Sequence, residues 1–220
     1  MIVLAFDASC AVGTVALTDG ARPLCAAHTE GARTHSETML PLAERILAEA
    51  GLGIGDVDLF ACAEGPGSFT GVRIAVSLVK GLALPADKPC VGVSSLAARA
   101  YALRDLDGIV CPVIDARRGN VYNALFEGGK RLCADRLISL QALGAELAGK
   151  QVYPVGDAYD AASALLQCAT PEQLREPNGY AVAYAALERW QQGGAFSAQA
   201  LRPEYLRPSQ AERERKEREQ

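Results

Sequence analysis

Two stretches of this chain repeat one pattern at a constant offset of 108 residues, with no gap between the matches. In the first, Ile2 to Phe6 reads as a strand ended by Asp7-Ala8-Ser9. Gly13 to Thr18 reads as a second strand, Asp19-Gly20 as a hairpin turn, and Leu24 to Thr29 as a third strand. In the second, Ile109 to Ile114 is a strand ended by Asp115-Ala116. Ala124-Leu125 matches Ala16-Leu17, Gly128 matches Gly20, Lys130 matches Arg22, and Leu132-Cys133-Ala134 matches Leu24-Cys25-Ala26. A duplicated three-strand meander, followed each time by helices and further strands, restricts the chain to two related α/β units. The 220 residues suffice for that.

The segments between the meanders fill in the units. Thr34 to Ala50 reads as a helix with a Thr34–Glu37 capping box and Gly51 at its stop, and Pro41 should kink it or shift its start. Val57 to Ala63 is a strand, and a helix then runs to about Leu84. Cys90 to Val93 is a short strand, and a helix capped by Ser94 or Ser95 runs to Arg104. In the second unit, helices are expected over Leu140–Ala148, Ala158–Gln167 and Tyr180–Gln191, with a strand at Val152–Val155. The resulting division is residues 1–104, residues 105–208, and a charged tail over residues 209–220. The tail cannot bury a core and reads as exposed.

Between the strand at Val57 and the next helix lies Gly65-Pro66-Gly67-Ser68-Phe69-Thr70-Gly71-Val72-Arg73. Three glycines allow close backbone approach, Pro66 stiffens the turn, and Thr70 is placed to cap the helix. Such a loop either holds an anion at a helix N-terminus or makes a rigid connection. It lacks the Gly-Lys-Ser/Thr of a Walker loop, and it is not a Gly-x-Ser-x-Gly nucleophile elbow. With no lysine or base beside it, it reads as a rigid joint. Lys80 stands far along the helix and reads as solvated.

The formal charge of −4 argues against a stand-alone nucleic-acid binder. Seven cysteines without a Cys-x-x-Cys pair read as reduced thiols of a cytoplasmic protein, not as a disulfide framework or a zinc site. The apolar start meets Asp7 too soon for a signal peptide, and no apolar run reads as a bilayer span. Asp7 and Asp115 each end the first strand of a copy. They are either turn residues or, with Ser9, Gly65, Gly67 and Ser68, remnants of a cleft that holds Mg²⁺ and a nucleotide phosphate. The second copy follows its aspartate with Arg117-Arg118-Gly119-Asn120, a basic loop suited to an anion or an acidic partner. His35, Met39, Leu42, Ile46 and Ala50 form an apolar stripe at helical spacing. The stripe packs either on its own sheet or on a second protein. A metal at His35 and Met39 is disfavoured, because a thioether is a poor ligand for hydrolytic metals.

Together these residues resemble the bacterial TsaB (YeaZ) family. The resemblance runs through Leu4-Ala5-Phe6-Asp7-Ala8-Ser9, Arg33-Thr34-His35-Ser36-Glu37 with Leu40-Pro41, and above all the Gly65–Ile74 block. It continues through Val93-Ser94-Ser95-Leu96, Ile114–Gly119 with Val121-Tyr122, and Pro203-x-Tyr205-Leu206-Arg207. It implies an α/β fold of two ribonuclease-H-like domains, of the actin, sugar-kinase and Hsp70 type. It implies a non-catalytic subunit of the complex that forms threonylcarbamoyladenosine in tRNA beside the anticodon. Such a subunit pairs through its N-terminal domain with the metal-bearing TsaD, with a TsaE ATPase completing the complex and tRNA met only through it. A homodimer is expected when the partner is absent, with no membrane contact. The relative's His-x-x-x-His metal motif would fall at His35 and Met39. The expected contact comprises His35, Met39, Leu42, Ile46, Arg73 and Val76. No resident cofactor is expected, weak ATP or ADP with Mg²⁺ at a subunit interface being left open. The alternative is an enzyme of the same fold, either a nucleotide-dependent phosphotransferase or a metallopeptidase-like hydrolase. Direct tRNA binding by Arg117, Arg118 and the tail is a third expectation, weakened because Glu alternates with Arg in the tail.

Overall fold

Successive residues of the first strand, β1 (Ile2–Asp7), are buried on both faces: Leu4 and Phe6 point one way, Val3 and Ala5 the other. A strand apolar on both faces belongs at the centre of a covered sheet. In the computed structural model, which describes residues 1–29, 34–175, 178–193 and 196–207, β1 holds that place. It pairs antiparallel with β2 (Thr14–Asp19), and β2 pairs antiparallel with β3 (Arg22–His28). On its other side lies β4 (Leu59–Gly65), parallel to it, followed by β5 (Cys90–Ser94). Helices α1 (His35–Glu49) and α2 (Phe69–Ala86) cover the Leu4/Phe6 face.

The second sheet repeats this plan. Its centre is β6 (Ile109–Asp115). The second strand is split into β7 (Asn120–Asn123) and β8 (Phe126–Glu127), and the third into β9 (Lys130–Arg131) and β10 (Arg136–Ser139). The hairpin register Asp19↔Arg22 recurs as Glu127↔Lys130, the same offset of 108, with Gly20 and Gly128 both left-handed at φ 57° and 53°. α4 (Leu140–Leu147), capped by Ser139, leads into β11 (Val152–Val155), parallel to β6 as β4 is to β1. Then comes α5 (Tyr159–Leu166). The β6–β7 turn is one residue shorter than its counterpart, since Asp115 faces Val121 where Asp7 faces Thr14.

Three expectations are corrected. The division at residues 104 and 208 does not follow the packing. α3 (Ser95–Tyr101) lies under both sheets, with Ala98 on the first and Leu96 and Ala100 on the second. The last helix, α6 (Gly179–Gln191), returns to the first sheet and buries Val182, Ala183 and Ala186 against Val3, Ala5 and Leu59. Residues 196–207 follow it, with Ala198 and Leu201 in the first domain's core. Second, α2 is capped by Ser68, whose Oγ accepts the Gly71 N–H at 3.2 Å, and not by Thr70. Third, α2 is long and apolar enough, by length and composition, to cross a membrane. Here Val72, Ala75, Val76, Val79 and Ala83 bury its apolar stripe on the sheet instead. At α1, the Glu37 carboxylate accepts both the Thr34 N–H at 3.0 Å and its hydroxyl at 2.7 Å, and Pro41 stays inside the helix. The tail over 209–220 and Arg33 lie outside the described residues.

Candidate functional site

A cleft of about 500 Å³ separates the two copies. Ser9, His35, Pro66 to Phe69, Asp115 to Arg117, Asp157 and the segment Glu204–Arg207 line it. Both strand-ending aspartates make the same local turn, Asp115 lining this cleft and Asp7 a separate hollow of about 210 Å³. Asp7 Oδ1 accepts the Ser9 N–H at 2.8 Å, and Asp115 Oδ1 accepts the Arg117 N–H at 2.8 Å. Each carboxylate thus satisfies the backbone two residues on, as turn aspartates do.

Beyond that turn the copies differ. Arg99, on α3, reaches back to the first copy. Its Nη1 lies 3.5 Å from Asp7 Oδ2 and donates to the Ser95 carbonyl at 2.9 Å. Its Nη2 donates to Ser9 Oγ at 3.2 Å and lies 2.9 Å from Cys10 Sγ. Both partners of the ion pair are nearly out of solvent, at 14% and 13% exposure. Burial works against the Arg99 charge, but Cys10, Asp7 and Asp157 outweigh it and hold its pKa above the ordinary arginine value. Burial also pushes the Cys10 thiol up to about 12, so it remains protonated. Asp115, by contrast, is exposed, and its partner Arg117 is 86% exposed at 3.3 Å.

The glycine-rich loop is packed against the chain's own backbone. A Cβ on Gly67 would stand 2.5 Å from the Ser9 carbonyl oxygen, and one on Gly71 would stand 1.8 Å from that of Ala8. One on Gly65, at φ 120°, would stand 2.2 Å from that of Glu204. The Ser68 N–H is already spent on Ser9 O, at 2.7 Å. The glycines are therefore required for close approach of backbone to backbone. A Mg²⁺–nucleotide does not fit these residues: the guanidinium of Arg99 faces the carboxylate that would bind the metal, and the loop amide is taken.

The segment after α6 straps the cleft. Glu204 N–H donates to Glu64 O, Tyr205 stacks on Phe69 at 4.5 Å between centroids, and Arg207 reaches across to the Ala116 carbonyl at 3.0 Å. Lys80, expected to be solvated, donates to Leu201 O at 3.2 Å.

The helix residues expected to face a partner divide. Met39, Ile46 and Val76 lie in the first domain's own core, at 1%, 0% and 3% exposure, because the stripe they form is the one that covers the sheet. That expectation is corrected for these three. Leu42 is half-buried at the edge of the same core. His35 is half-buried with Nε2 2.9 Å from Cys10 O, and Met39 is pressed against Gly13, so the pair does not fit a metal either. Arg73 is exposed, 5.4 Å above the Phe69 ring. Leu40 and Leu84 are the exposed leucines of α1 and α2.

The family model described as TsaD: tRNA N6-adenosine threonylcarbamoyltransferase matches residues 27–188. The tRNA threonylcarbamoyladenosine biosynthesis protein TsaB of Haemophilus influenzae is 32% identical over 190 residues, 80% of each chain. The chain belongs to the TsaB/YeaZ family. The TsaB of Escherichia coli K12 is 40% identical over 131 residues, 58% of this chain and 55% of that protein. The solved structure of YeaZ from Pseudomonas aeruginosa superposes with a TM-score of 0.79 at 26% identity, covering 93% of this chain and 99% of that one. Membership fixes the fold as the two-domain ribonuclease-H-like arrangement that the resemblance implied, in agreement with the two units of the internal repeat.

Sequence reasoning for this TsaB/YeaZ chain missed Arg99 and Asp157. Arg99 is 92 residues from its partner Asp7, and helical periodicity gives no pairing information. Asp157 follows β11 at the place where the glycine-rich loop follows β4. The shorter second copy breaks the offset there. Aligning the strand ends, not the numbering, would have found it. A second hollow, about 790 Å³, lies between α3, α6 and the β8–β9 hairpin. Its walls carry the ion pairs Arg189–Glu64, at 2.8 Å, and Arg131–Asp135.

Proposed function

We propose that this chain acts in the formation of threonylcarbamoyladenosine in tRNA, as a catalytically silent subunit that pairs with a TsaD-type transferase. The relatives named for that pathway support the pathway. The observation that carries the silent role is the occupied first-copy turn. Arg99 neutralises Asp7, and the glycine loop spends its close approach on Ala8, Ser9 and Glu204. The joint holds α2 rigidly, which suits a helix offered to a partner. The contact face of this reading is the outer side of α1 and α2, with Leu40, Arg73 and Leu84 in place of the buried Met39, Ile46 and Val76. Left uncovered, the face self-associates. A TsaE-type ATPase completes the assembly in the cytoplasm, and tRNA is met through the complex.

The test is co-purification with the transferase of the same organism, together with tRNA modification by the reconstituted pair. Leu40→Lys combined with Arg73→Glu is expected to weaken the pair at least about tenfold, a loss of about 1.4 kcal/mol, with the thermal midpoint unchanged. Modification of tRNA by the isolated chain, or its turnover of ATP with Mg²⁺, overturns the silent role. Undiminished pairing by the double variant overturns the placement of the contact.

A further inference from the structure

We infer that the Arg99 guanidinium is a tethered cation filling a latent divalent-cation site made of Asp7, Ser9 and the Ser95 carbonyl. The argument starts from the donors. Within 3.5 Å of the guanidinium nitrogens stand a carboxylate oxygen, a hydroxyl oxygen and a backbone carbonyl oxygen. Three oxygens of these types are what a hard cation such as Mg²⁺ or Ca²⁺ selects. The fourth neighbour, Cys10 Sγ, is a weak acceptor.

A second carboxylate stands near. Asp157, from the other copy, adds its negative charge to the field at Arg99. A hollow of about 210 Å³ lined by Asp7, Cys10, Arg99 and Asp157 gives water and ions a way in. Arg175 lines the same hollow, but its Nε is committed to Thr170 O at 2.7 Å and its guanidinium lies 4.5 Å over the Tyr159 ring.

The negative charge at the junction of the copies therefore needs a cation, and the chain supplies one covalently. An ion held by ligands can leave; a side chain cannot. Because Ser9 also accepts the Ser68 N–H that begins α2, the same guanidinium fixes the start of that helix. This inference does not depend on which partner the chain binds.

The experiment is thermal unfolding of the full chain in about 10 mM MgCl₂ or CaCl₂, against KCl of matched ionic strength. Wild type is expected to show no difference between the salts. Arg99→Gln, which keeps donors but not charge, and Arg99→Ala are expected to melt lower in KCl. Either divalent salt then raises their midpoint by about 3 °C or more, the shift that about tenfold excess over Kd gives a chain of this size. Adding Asp7→Asn abolishes the response, and Arg99→Lys, which keeps a tethered charge, shows none. A variant unfolded in KCl that folds in CaCl₂ supports the inference equally. It is overturned if Arg99→Gln gains no divalent-specific shift, if the response survives Asp7→Asn, if wild type responds as strongly, or if both charge-removing variants stay unfolded in every salt.

Discussion

At the end of β1 the ion pair Asp7–Arg99 is nearly closed to solvent. At the end of β6, 108 residues on, the ion pair Asp115–Arg117 stands in water. Both aspartates make the same backbone turn, at the same 2.8 Å. What differs is where the arginine comes from. Arg117 is a neighbour in sequence and lies exposed to solvent; Arg99 arrives from a helix packed between the domains. A buried pair whose partner is removed leaves an uncompensated charge, whereas an exposed pair loses little. The first copy has thus turned a turn residue into part of its interior, and the second has kept it as surface.

Four tests, made with seven substitutions, break or sharpen that contrast. The largest effect is expected from Gly71→Ala in the first copy. Its Cβ falls 1.8 Å from the Ala8 oxygen, backbone that cannot give way, so the loss is about 4 kcal/mol or failure to fold. Gly119→Ala in the second copy meets no atom within 4 Å and costs only its left-handed φ of 72°, about 1–2 kcal/mol. Urea midpoints separate the two. Next, Arg99→Ala is expected to lose about 3 kcal/mol and Arg117→Ala no more than about 0.5 kcal/mol, by the same measurement. Equal losses would mean that the burial contrast does not set the energetics. Third, Met39→Lys, in the core, should lower the thermal midpoint by several degrees, about 2–4 °C for each kcal/mol lost. Leu40→Lys, one residue away and exposed, should leave it unchanged.

The smallest effect concerns Glu64 on β4. Burial raises its pKa above the ordinary value, against the pull of Arg189. Between the unfolded and the raised folded value, the folded state holds a proton that the unfolded chain has released. Its contribution is complete below the unfolded carboxylate range and fades as pH rises through the raised value. Glu64→Gln should therefore flatten the stability profile above about pH 4.5, and change stability at pH 7 by no more than about 1 kcal/mol. A profile as steep as wild type would show that Glu64 does not set it.

The sequence carried the meanders because their signals are local: alternating apolar strands, a glycine where the hairpin needs positive φ, and an aspartate where the strand must turn. The offset of 108 survives in the register of Glu127 with Lys130. What was hidden is what one element covers. The stripe of Met39 and Ile46 shows which side of α1 is apolar, not that its own sheet lies against it. Equally, nothing local tells α6 to return to the first sheet, or Arg99 to meet Asp7. The Ser68 cap was missed because Thr70 is as good a capping residue by type, and only the backbone path chooses between them.

α6 has one more consequence. During synthesis the first sheet emerges long before the helix that covers its Val3, Ala5 and Ala61 side. A nascent chain stopped near residue 150 carries that apolar side open. Its folding waits on contacts more than a hundred residues apart, which are slow to find. Ribosome-bound intermediates of this length should therefore recruit chaperones, and should lose that need once residues 179–207 have cleared the exit tunnel.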